Sequence, residues 1–147
     1  GSAANFLRAL KRKDCYILHL SEGVDETARK HFLALKLAGD EWALADSLAG
    51  IHSCGLEAED FDVLARFGTS MVWSPLSNLL LYGGTAKVKA AKKAGVKIGL
   101  GSDWSPSGSK NLLGELKAAR VANELELLQQ EFPRGRIEAA EAAAVRA

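Results

Sequence analysis

Cys15-Tyr16-Ile17-Leu18 is an apolar run that leads directly into His19-Leu20-Ser21-Glu22. This order predicts a buried strand that ends in a histidine and a carboxylate, where a helix begins. Three further apolar runs also end in polar residues: 48–51 precedes His52, 71–73 precedes Ser74-Pro75-Leu76-Ser77-Asn78, and 96–101 precedes Ser102-Asp103. The carboxyl ends of the strands form the active-site face of a β/α barrel. The pattern therefore predicts half of such a barrel, with a functional site at this face.

Strands alternate with helices along the chain. Strands are predicted at 15–19, 48–52, 69–73 and 96–101, and helices at 24–38, 57–67, 85–94 and 111–130, after the end of an earlier helix at 3–12. This alternation implies parallel strands joined by right-handed crossovers. Four such units are half of the eight that close a TIM-type (β/α)8 barrel. We therefore expect a single partial domain over 1–147, with the β/α units at 14–130 and a helical tail at 131–147.

The main alternative is an open four-stranded sheet of the Rossmann or flavodoxin type. That fold carries a glycine-rich phosphate-binding turn after its first strand. Here Gly99-Leu100-Gly101 lies within a predicted strand instead of at a strand-to-helix turn. In a barrel, side-chain alternation would turn Ile17 and His19 inward together, and Asp103 inward with the two glycines. A half barrel is therefore the favoured prediction.

Composition and charge limit the classes of function. The chain has 147 residues, 48% of them hydrophobic and 25% charged, with a formal net charge of +1, as in ordinary soluble domains. Neither nucleic acid nor a membrane is expected as a partner. Cys15 and Cys54 are predicted to be reduced thiols of a cytoplasmic protein, near strand ends where they could approach each other. A half barrel leaves sheet edges and apolar surface uncovered, so a homo-oligomer is expected.

Four segments carry a resemblance to a known family: Ile17–Glu22, Gly50–His52, Trp73–Asn78 and Gly99–Asp103. The first resembles the fifth-strand His-x-x-Glu signature of the amidohydrolase superfamily, in its deaminase and chlorohydrolase branch of cytosine, guanine and triazine hydrolases. The others are similar to that branch's sixth-strand histidine, its seventh-strand Pro-x-Ser-Asn element and its eighth-strand Gly-x-Gly-Thr/Ser-Asp signature. Their order and spacing also fit, over residues 14–125.

One element of that family has no counterpart in the sequence. The family's first-strand His-x-His pair supplies two metal ligands, whereas the histidines of this chain are His19, His31 and His52. The resemblance therefore implies the C-terminal half of an amidohydrolase barrel. On its own, this half is expected to bind metal weakly or not at all and to be inactive, while the intact parent would hold one divalent metal, zinc or iron.

The resemblance also implies roles for the residues at the strand ends. His19 and Asp103 would be metal ligands, and the metal would lower the pKa of a bound water. Asp103 would in addition accept the proton of that water, and Glu22 would carry a proton to the leaving group. His52 would polarise the substrate or orient the water. Asp103, Glu22 and His52 are thus the predicted catalytic residues.

Asn78 and Trp104 are the predicted substrate contacts, because a flat heterocycle could stack on an indole that directly follows Asp103. The expected function is hydrolysis of a carbon–nitrogen bond, or deamination or dechlorination of a ring, on a small-molecule substrate. The alternative is a non-catalytic α/β domain that keeps the motifs as scaffold. In that case Glu22 would be a helix-end carboxylate and Asp103 a capping residue.

Overall fold

The computed structural model describes residues 2–131. A parallel sheet contains four strands in the order β1 (Tyr16–Leu20), β2 (Leu48–His52), β3 (Ser70–Trp73) and β4 (Ile98–Leu100). The helices are α1 (Ala3–Leu10), α2 (Glu26–Leu33), α3 (Ala58–Arg66), α4 (Pro75–Tyr82), α5 (Val88–Ala94) and α6 (Leu112–Glu131). Parallel strands that alternate with helices confirm the predicted half-barrel architecture. The predicted helical tail lies outside the described residues after Glu131.

The four predicted strands are confirmed, with ends shifted by at most two residues. The ends of two helices are also as predicted. Gly68 follows α3 and Gly95 follows α5, with left-handed φ angles of +71° and +87°. Glycine adopts this conformation without the steric cost that a Cβ brings, so it ends each helix and starts the turn into the next strand.

Helix α2 is shorter than predicted, since it ends at Leu33 rather than at residue 38. The following residues turn back, and Lys36 pairs with Trp42 in an isolated antiparallel bridge. The Trp42 ring stacks on Phe32 with 4.8 Å between centroids. The packing of Trp42 thus outweighs the helical pattern predicted up to residue 38. Gly39 lies in the resulting turn instead of capping a helix.

Helix α4 was not predicted, because its first residues resemble turn sequence. Pro75 occupies the first turn, where a missing N–H costs nothing. Gly83 ends the helix with a φ of +63°. This helix follows β3 directly and therefore carries its polar residues to the carboxyl edge of the sheet.

The two faces of the sheet differ in what covers them. One face packs on the helices through a core that includes Leu48, Met71 and Phe61, all fully buried. The opposite face carries Ile17, which is 62% exposed. Its neighbour two residues along the strand is His19, so the predicted alternation places both on this open face. Within this part of the chain, an apolar sheet face is thus open to contact.

The structure separates the two cysteines, one exposed and one buried. Cys15 precedes β1 and Cys54 follows β2, so the two free thiols lie at opposite ends of parallel strands. The expectation that they could approach each other is therefore wrong.

None of the helices in the described range 2–131 has both the length and the apolar character that crossing a membrane requires.

Candidate active site

Three predicted site residues converge at the carboxyl edge of the sheet. His19 lies in β1, Glu22 follows that strand, and His52 ends β2. One potential ligand atom from each lies within 4.8 Å of the other two. Across the described residues, this is the one group of three or more such side chains that could hold a metal ion. We refer to these three residues as the edge cluster.

The backbone at this edge is unusual. Ser21, His52 and Ser53 have φ angles of +50°, +70° and +54°, in the left-handed region. For residues other than glycine, such a conformation costs on the order of 1–3 kcal/mol each and is concentrated at functional sites. The Ser53 N–H donates to the Leu20 carbonyl at 2.9 Å and helps to hold the turn.

The left-handed turn also explains the direction of the His52 ring. His52 pairs in register with Leu20, whose side chain is buried in the core beside the helices. Simple alternation would place His52 on that same side. The His52 ring instead lies 5.3 Å from the His19 ring, between centroids, and so reaches the edge cluster.

His52 is fully buried, and its two ring nitrogens have different surroundings. Nδ1 lies 2.9 Å from Oδ1 of Asn78. Nε2 lies 3.4 Å from Oε1 of Glu22 and has no hydrogen-bond partner. A buried polar atom without a partner is rare in proteins, so Nε2 is free to meet a ligand, a proton or a cation.

Glu22 is held by a tyrosine that the sequence reasoning missed. The Tyr82 hydroxyl donates to Glu22 Oε1 at 2.6 Å. Burial, this hydrogen bond and the nearby negative charge raise the pKa of Tyr82 to about 12. Tyr82 therefore remains a hydrogen-bond donor at neutral pH. It stands 60 residues after Glu22 on the helix that was not predicted, so no local signal identified it.

Asp103 lies next to the edge cluster but outside it. Two hydroxyls donate to its Oδ2: Ser77 at 2.6 Å and Ser107 at 3.3 Å. Burial alone would raise the pKa of Asp103, but the hydrogen bonds from Ser77, from the Trp104 backbone and from Ser107, together with the electrostatic attraction of His52, lower that pKa below its ordinary value. Asp103 is therefore a firmly ionised carboxylate. The sequence reasoning missed both serines as partners, although Ser77 lies within the 73–78 motif.

The two predicted substrate contacts occupy very different places. Trp104 is 68% exposed beside Asp103, a position open to a ligand. Asn78 is fully buried, and both ends of its amide bond to other side chains, His52 and Thr85. Asn78 is thus engaged by protein side chains, and its predicted contact with a substrate stays a prediction.

A buried carboxylate on α6 fixes the start of α4 and was also missed. Glu115 is fully buried. Its Oε2 accepts from the Leu76 N–H at 3.2 Å, and its Oε1 accepts from the Ser109 N–H at 2.8 Å. Glu115 thereby satisfies an N–H at the start of the helix that carries Ser77 and Asn78.

Comparison with known proteins identifies curated deaminases among the relatives of this chain. No protein-family model matches the sequence. The chain is 31% identical over 113 residues to the 5-methylthioadenosine/S-adenosylhomocysteine deaminase of Thermococcus kodakarensis, a match that covers 74% of this chain and 27% of that protein. It is 33% identical over 93 residues to the Halobacterium salinarum protein of the same name, covering 63% of this chain and 22% of that one. The resemblance to the amidohydrolase superfamily is confirmed.

Solved amidohydrolase structures have the same fold. A triazine hydrolase from Arthobacter aurescens matches with a TM-score of 0.70 and 21% identity, over 89% of this chain and 31% of that one. An adenosine deaminase from Xanthomonas campestris with bound zinc matches with a TM-score of 0.66 and 24% identity, over 85% and 31%. The chain spans about a quarter of the length of the curated amidohydrolase relatives that it matches.

Proposed function

We propose that this chain carries part of the active site of a metal-dependent hydrolase that removes an amino group from a heterocyclic ring. The observation that carries this proposal is the convergence of His19, Glu22 and His52 within 4.8 Å at the carboxyl edge of a parallel sheet. The names of the sequence relatives, which are deaminases acting on methylthioadenosine and S-adenosylhomocysteine, favour deamination over dechlorination. An amino-substituted purine or similar ring is accordingly the proposed class of substrate.

The residues present fit a divalent metal. Neutral imidazole nitrogens and carboxylate oxygens are suitable ligands for zinc and ferrous iron. The partnerless, fully buried Nε2 of His52 supports a role for this edge in receiving a further polar group. We propose His19 and Asp103 as ligands in the complete enzyme, where a bound metal would supply hydroxide near neutral pH by lowering the pKa of a water. Catalytic zinc sites take about three protein ligands, so a further ligand is needed besides these two.

The remaining side chains can bind, orient and move protons. Glu22 is one-third exposed, at 33%, so it can reach a ligand while Tyr82 holds one of its oxygens in place. We assign Glu22 to carrying a proton towards the ring nitrogen and the leaving amine. His52 Nε2 would accept a hydrogen bond at the reacting centre. Trp104 would stack on the flat substrate, and the ionised Asp103 would accept a proton.

A chimera tests this proposal. Residues 14–125 would replace the corresponding segment of the Thermococcus kodakarensis deaminase, and ammonia release would be measured with methylthioadenosine and with a panel of aminopurines, aminopyrimidines and aminotriazines. We expect deamination of at least one ring, and loss of both metal and activity in His19→Ala, because that change removes a ligand. A folded, zinc-loaded chimera inactive on the whole panel would refute the proposal and favour a scaffold role.

A further inference from the structure

We infer that a buried hydrogen-bond relay, made by Trp73, Thr85 and Asn78, fixes the tautomer of His52 and leaves its Nε2 as an acceptor at the edge cluster. Asn78 is then a positioning residue for His52. The inference deepens the proposed function, since it rests on His52 acting at that site. The relay itself is defined by hydrogen-bond geometry within the described residues.

The relay starts at a group that can only donate. The Trp73 indole N–H donates to Thr85 Oγ1 at 2.6 Å, which occupies one lone pair of that oxygen and leaves the second for another donor. The Asn78 side-chain amide nitrogen donates to the same oxygen at 3.4 Å. Because the amide nitrogen of Asn78 faces Thr85, its amide oxygen faces the other way, towards His52.

The direction of the Asn78 amide determines where the imidazole carries its hydrogen. Asn78 Oδ1 lies 2.9 Å from His52 Nδ1, and an amide oxygen can only accept. His52 Nδ1 must therefore carry the hydrogen, and Nε2 keeps its lone pair. Both residues are fully buried, so this contact is shielded from competing solvent.

The free lone pair faces a carboxylate. His52 Nε2 lies 3.4 Å from Glu22 Oε1 and forms no hydrogen bond. Two acceptors that face each other repel until a proton or a cation lies between them. The relay thus holds His52 ready to accept from a ligand, whereas the opposite tautomer would present an N–H to Glu22 and fill the gap.

All three relay residues come from one short stretch of the chain. Trp73 ends β3, Asn78 lies on α4, and Thr85 follows that helix. The β3–α4 unit therefore orients a histidine that belongs to the preceding strand, β2. This arrangement gives the asparagine of the 73–78 motif a role besides the predicted substrate contact.

The tautomer can be measured directly on the 147-residue chain. Long-range ¹H–¹⁵N correlation spectra of the labelled chain, recorded at a pH where the imidazoles are neutral, distinguish a protonated from an unprotonated ring nitrogen. His19→Gln and His31→Gln, both at exposed positions, assign the His52 signals by elimination. We expect hydrogen on Nδ1 and none on Nε2.

Substitutions then test the cause. Asn78→Leu keeps the number of side-chain heavy atoms but removes the acceptor. It should shift the ratio of tautomers towards the Nε2–H form by about fivefold to tenfold, which corresponds to the free energy of roughly one hydrogen bond. Asn78→Asp retains an acceptor oxygen and should restore the Nδ1–H form. Leu80→Ala, at an exposed position of α4, is the matched control and should leave the spectrum unchanged.

An Nε2–H tautomer in the unsubstituted chain would overturn the inference, as would an unchanged ratio in folded Asn78→Leu. If Asn78→Leu does not fold, Thr85→Val gives the test, because it removes the oxygen that orients the amide; it should shift the ratio in the same direction, and no shift would count against the relay. None of these measurements needs turnover. If the chimera is inactive but His52 has the expected tautomer, only the proposed function is refuted. If the chimera is active but His52 has the opposite tautomer, only the relay is refuted.

Discussion

Replacing Glu115 tests whether one buried carboxylate on α6 holds the start of α4 in place. Its two oxygens accept from the Leu76 and Ser109 N–H groups at 3.2 and 2.8 Å. Glu115→Ala leaves both donors without their acceptor, which costs about 1–3 kcal/mol for each buried donor. Both donor residues are only partly buried, so we take the lower half of the range. The expected loss in free energy of unfolding for the two donors together is about 2–4 kcal/mol.

Urea unfolding, followed by circular dichroism, measures this loss. With a slope of about 2 kcal/mol per molar urea, the midpoint should fall by about 1–2 M. Glu124→Ala on the same helix is the matched control, because Glu124 and its partner Arg120 have side chains 55% and 83% exposed. An exposed pair of this kind contributes about 0.3–0.5 kcal/mol. Equal losses in the two variants would refute the view that Glu115 supports α4.

Four further outcomes are expected. In the active chimera, Glu22→Gln should lower turnover by roughly a hundredfold to ten-thousandfold with metal content nearly intact, and turnover at the parent rate would reduce Glu22 to a helix-end carboxylate. The chain alone should bind zinc weakly and lack hydrolase activity, because its two proposed ligands, His19 and Asp103, are fewer than the three of a catalytic zinc site, and Glu22 and His52 are assigned to other roles; one metal per chain surviving dialysis against a chelator contradicts this. Burial raises the pKa of Cys54 to about 12, so below that pH alkylation should label the exposed Cys15 and reach Cys54 only after unfolding, as mass spectrometry would show. Sedimentation should detect a homodimer or larger oligomer, because the exposed apolar sheet face and end strands favour association, whereas a monomer at micromolar concentration would not fit.

The strands and the edge cluster were accessible to sequence reasoning because their signals are local. Each strand is a short apolar run, and each predicted site residue at a strand end follows such a run directly. Parallel pairing then brings neighbouring ends to the same edge, so His19 and His52 could be expected there, although the left-handed turn after β2 is what brings their rings together. The glycines after α3 and α5 are local signals too, since the left-handed conformation they adopt disfavours other residues.

Helix α4 and its contacts were not accessible in this way. Its first turn contains proline, serine and asparagine, which are also turn residues. An N–H at its start is satisfied by Glu115, 39 residues further along the chain from Leu76. Helix α2 was predicted too long. The apolar spacing of a helix continues in the sequence after Leu33, but the helix ends there and Trp42 packs on Phe32.

The sequence by itself determined the half-barrel class and the order of the strands, and it led to the prediction of His19, Glu22, His52 and Asp103 as site residues, because periodicity and motif spacing are properties of neighbouring residues. Only the tertiary structure decided how these side chains are held. Tyr82 reaches Glu22 across 60 residues, and Ser77 reaches Asp103 across 26. Hydrogen bonds depend on distance and direction to within a few tenths of an ångström, and no pattern along the chain specifies those quantities before the helices have packed on the sheet.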